Sequence, residues 1–83
     1  MTDLAGRTKL LALDRCLHLL EEALAAGKPR VDAPLGSKLR DLLAQAGLIP
    51  DHRLEGRRTD RVLDDIFALQ ALVLGTSEEE QTA

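Results

Sequence analysis

The chain has no Trp, no Tyr and one Phe among its 83 residues. Proteins that read single-stranded nucleic acid stack bases on aromatic rings, so Phe67 alone makes that mode of recognition a poor fit. Interface hot spots also draw on Trp and Tyr, so any protein interface here falls to Leu, Val and Arg. One cysteine, Cys16, excludes an internal disulfide and suits a reducing compartment. No run approaches the ~20 apolar residues of a membrane span, and Met1 to Arg7 lacks the apolar core of a signal peptide. These features lead to the expectation of a cytoplasmic protein. A formal net charge of −3 supplies no general attraction to DNA or anionic lipid. Asn is missing, and Ile and Lys are few beside abundant Ala, Leu, Arg and Gly. That bias hints at a GC-rich bacterial or phage gene.

What the chain does have is leucine and alanine within a 45% hydrophobic fraction. Both are strong helix formers, while strand-favouring β-branched and aromatic residues are scarce. Eighty-three residues support one domain at most. The expectation is an all-α three-helix bundle over residues 1–75, with helices near 8–26, 34–46 and 59–74, and a disordered acidic tail at 76–83.

Leu10, Leu13, Leu17, Leu20 and Leu24 alternate steps of three and four, which places them on one stripe of a helix. Cys16, Leu19, Ala12 and Ala23 flank the stripe and widen the apolar arc to about half the circumference, more than the ~100° that a one-sided surface helix needs. A helix with such an arc touches two neighbours. Gly27 and Pro29 mark its end; Gly47 with Pro50 and, at the third helix, Gly75 repeat the signal. Asp32 or Ala33 caps the second helix with Pro34 in its first turn, although Ser37 is an alternative cap. Leu35, Leu39, Leu42, Leu43 and Ala46 form the second stripe. Pro50-Asp51 and Glu55-Gly56 suit turns. The third helix takes Thr59 as N-cap and Asp60 in its first turn. Val62, Ile66, Leu69 and Val73 make its main stripe, widened by Leu63, Phe67 and Leu74.

Four features could carry chemistry or binding. Gln70 projects into the third helix's apolar arc, where an unpaired amide costs roughly 1–3 kcal/mol. It either pairs across a dimer seam and fixes its register, or bonds a loop carbonyl of its own chain. Asp14, His18 and Glu22 recur at i, i+4 and i+8 and could offer oxygen and nitrogen to a divalent metal. No second His or Cys cluster completes such a site, so a solvated face is the simpler reading and no metal or other cofactor is expected. Cys16 sits on the apolar side, where a thiol is inert.

The fourth feature is the segment His52 to Arg61, with four arginines, Arg53, Arg57, Arg58 and Arg61. Guanidinium forks suit phosphates or an acidic protein surface. Alternatively, the same arginines pair with Asp60, Asp64 and Asp65. With its wider context, Leu39 through Ala46-Gly47-Leu48-Ile49 to Glu55-Gly56-Arg57-Arg58, the segment resembles the recognition-helix-plus-wing region of small bacterial winged-helix repressors. That resemblance spans about a quarter of the chain and implies a DNA-binding regulator. Two features depart from the pattern. The Gly27–Ala33 gap is about twice the three or four residues that separate paired DNA-reading helices, and Arg57 to Leu74 reads as turn and helix.

No catalytic arrangement emerges. Gly36-Ser37-Lys38 lacks the upstream glycine of a phosphate loop, and two His without Tyr leave Ser37 or Cys16 unsupported as nucleophiles. The amphipathic area exceeds what three short helices can hide, which implies association. The expectation is a non-enzymatic helical interaction module, an accessory, adaptor or inhibitor. It would form a two-fold dimer through Leu13, Leu20, Ile66, Gln70 and Val73 and use Arg53, Arg57, Arg58 and Arg61 on an unidentified protein partner. The alternative expectation is a transcriptional regulator that sets those arginines on DNA.

Overall fold

The structure, a computed structural model, describes the backbone of residues 4–48 and 53–82 and the side chains of 6–48 and 53–75. Three helices follow one another: α1 (Leu4–Ala25), α2 (Ala33–Gln45) and α3 (Thr59–Thr82). The all-α expectation holds, and no helix of the described residues is long and apolar enough to cross a membrane. The turn expected at Pro50-Asp51, and His52, lie outside the described residues.

α1 is the centre of the fold. It packs against both α2 and α3, and among the described residues those two make no close backbone approach to each other. This accounts for the wide apolar arc of α1. Leu19 and Ala23 share a groove with Pro34 and Leu35 at the start of α2, and Leu13, Cys16, Leu17 and Leu20 are buried in a cluster with Leu39, Leu43, Val62 and Ile66. Leu24, the last rung of the ladder, is partly exposed.

Both α1 and α2 stop as the glycines foretell. Gly27 and Gly47 have φ of 78° and 73°, a conformation that a Cβ would strain. Beyond α1, the Lys28 N–H donates to the Ala23 carbonyl at 2.9 Å and the Gly27 N–H to Leu24 at 3.0 Å. After α2, Leu48 donates to Leu43 at 2.7 Å and Gly47 to Ala44 at 3.0 Å. Each pair of bonds is a Schellman closure that satisfies the last carbonyls. α2 begins with Asp32 as its cap, its carboxylate accepting the Leu35 N–H at 2.9 Å, so Ser37 lies inside the helix.

α3 departs from expectation at both ends. Gly75 is not among the glycines with positive φ, no proline follows it, and the helix runs on through the acidic sequence to Thr82 instead of stopping at Leu74. The tail read as disordered is therefore helical backbone to Thr82; Ala83 lies outside the described residues. At the other end, Thr59 is not the cap. The Arg58 carbonyl already accepts from Arg61 and Val62 at 3.1 Å each. The buried Thr59 hydroxyl turns away and donates to the Lys28 carbonyl at 2.9 Å.

That bond belongs to a zipper between the two connecting segments. The Val31 N–H donates to Arg57, the Gly56 N–H to Val31 and the Thr59 N–H to Pro29, at 2.9, 2.8 and 2.9 Å. A single antiparallel bridge, Arg30 to Arg58, results. Val31 is buried beneath it. Because Thr59 is tied to the residues just past α1, α3 starts beside the C-terminus of α1 and returns antiparallel along it.

Candidate functional site

The dimer residues expected from sequence divide sharply. Leu13 and Leu20 are 0% exposed and Ile66 is 3% exposed, all three inside the core of a single chain. They hold the monomer together and have no surface to offer a second molecule. The reason is the position of α1: a helix with neighbours on two sides consumes its apolar arc internally. Val73 is half-buried against the same core. Of the five residues, only Gln70 borders open surface with a group that a partner could bond. Its side chain has no hydrogen-bond partner among the described residues, so the expected loop carbonyl is not found there.

The apolar surface that remains lies one residue further along. α3 carries two parallel seams, each with three- and four-residue steps. Val62, Ile66, Leu69 and Val73 form the inner one and are buried or half-buried against the core. Leu63, Phe67, Gln70 and Leu74 form the outer one, about 100° round the helix. Along it, Leu63 is half-buried against the core and Gln70 is half-buried, so the exposed apolar surface is that of Phe67 and Leu74, 49% and 46% exposed. Ala71 adds a small exposed residue beside them. Leu11 and Leu72 also face solvent, each isolated from this seam on its helix.

The arginine segment is distributed rather than concentrated. Arg58 pairs with Asp60 at 2.8 Å, Arg57 with Asp65 at 3.5 Å and Arg53 with Glu55 at 3.5 Å. Arg61 is exposed at the first turn of α3. Between residues 53 and 65 the four arginines face four carboxylates, Glu55, Asp60, Asp64 and Asp65, so the local charge cancels. Arg30 donates to the Gly56 carbonyl at 2.7 Å and holds the turn from outside. The wing implied by the winged-helix resemblance does not form among the described residues: one bridge precedes Thr59, and α3 begins there.

Asp14 and His18 approach each other at 3.4 Å on the exposed side of α1. Glu22 does not join them in a ligand set, and no group of three His, Cys, Asp or Glu among the described residues could hold a metal. Burial raises the Cys16 thiol to about 11, which keeps it protonated and unreactive at neutral pH. Two shallow clefts flank α2. One, of about 210 Å³, lies beside Gly36, Ser37, Arg40 and Arg53. The other, of about 290 Å³, follows the α1–α2 groove. Both fall below the range of about 300–1,000 Å³ typical of small-molecule sites.

Comparison with protein-family models, curated proteins and solved structures finds no match to this chain.

Proposed function

We propose that this protein is a small non-enzymatic interaction module that works as a homodimer and binds another protein as an accessory, adaptor or inhibitor. The outer seam of α3 carries the reading. A helix that has already filled one apolar seam against its own core has little reason to keep Phe67 and Leu74 half-exposed on a second. Apolar patches retained on a small surface mark contact sites. The patch is modest, so association in the micromolar range is expected rather than an obligate dimer. A buried, protonated Cys16 and shallow clefts support a role without catalysis.

Sedimentation of the purified protein across micromolar concentrations tests this. The expected result is a reversible shift from 9.0 kDa toward twice that mass, lost in Phe67→Ser. A 9.0 kDa particle at every concentration overturns the dimer. The DNA-binding reading draws on the exposure of Arg53 and Arg58. It requires retardation of duplex DNA that weakens steeply with salt and disappears in Arg57→Ala or Arg58→Ala. That result would replace the protein-partner reading.

A further inference from the structure

We draw no further inference here: the strongest candidate, the outer seam of α3 at Phe67 and Leu74, belongs to the site already described, and nothing in the structure shows what covers it.

Discussion

Thr59 shows how much one side chain can decide. It is fully buried, and its hydroxyl and N–H hold the carbonyls of Lys28 and Pro29, just beyond the glycine that stops α1, at 2.9 Å each. Those bonds fix where α3 starts and therefore which of its faces meets α1. Thr59→Val keeps the shape and removes the hydroxyl, leaving the Lys28 carbonyl without that donor. The expected loss is about 1–2 kcal/mol in urea unfolding, whereas Thr59→Ser should recover most of it. From sequence, Thr59 looked like an N-cap, because Thr before Asp and an apolar run is the ordinary signature of one. The tertiary bond was invisible: its acceptor is a carbonyl 31 residues away in a segment with no periodicity. Val31 was missed for the same reason. A lone β-branched residue between Arg30 and Asp32 gives no pattern, and only the returning segment at Gly56 and Arg57 buries it.

At the scale of the element, the C-terminal ends of α1 and α2 and the start of α2 were legible, while the ends of α3 were not. Gly27 and Gly47 could be read because the stop signal is local: a residue tolerant of positive φ directly after the last apolar rung. Gly75 showed the same local letters without a proline behind it, and the helix passed through. The start of α2 was readable for a chemical reason that also makes it sensitive to pH. Lys28 bonds the Asp32 carboxylate at 2.8 Å and the Leu35 N–H bonds it at 2.9 Å. Together, with Lys28 first, they hold it below its ordinary value of 3.8. A depressed folded pKa means stability that is present above the unfolded value and lost as pH falls through the folded one. The melting temperature of the wild-type chain should exceed that of Asp32→Asn at neutral pH, and the gap should close below about pH 4. A gap that stays constant from pH 7 to pH 2 would remove the carboxylate's charge from the account.

For the whole molecule, the sequence could show that apolar area was plentiful but not where it would be spent. Leu13, Leu20 and Ile66 read as interface residues because nothing local reveals that α1 lies between two neighbours. The contrast between inner and outer faces is now a measurable one. Leu13 is 0% exposed at the centre of the core, and Leu13→Ala should cost about 2–5 kcal/mol. A domain of this length has roughly 4–12 kcal/mol in total, so the variant should melt far earlier at every protein concentration. Phe67 is 49% exposed on the outer seam, and Phe67→Ser should change the stability of the lone chain by about 1 kcal/mol or less. Its effect appears elsewhere. A dimer that forms only from folded chains makes the melting temperature rise with protein concentration. Wild-type protein should show that rise and Phe67→Ser should not, while Leu13→Ala keeps the rise from a lower starting point. Calorimetry over a concentration series separates the two roles. A wild-type melting temperature independent of concentration would mean that the outer seam of α3 serves a partner other than this chain.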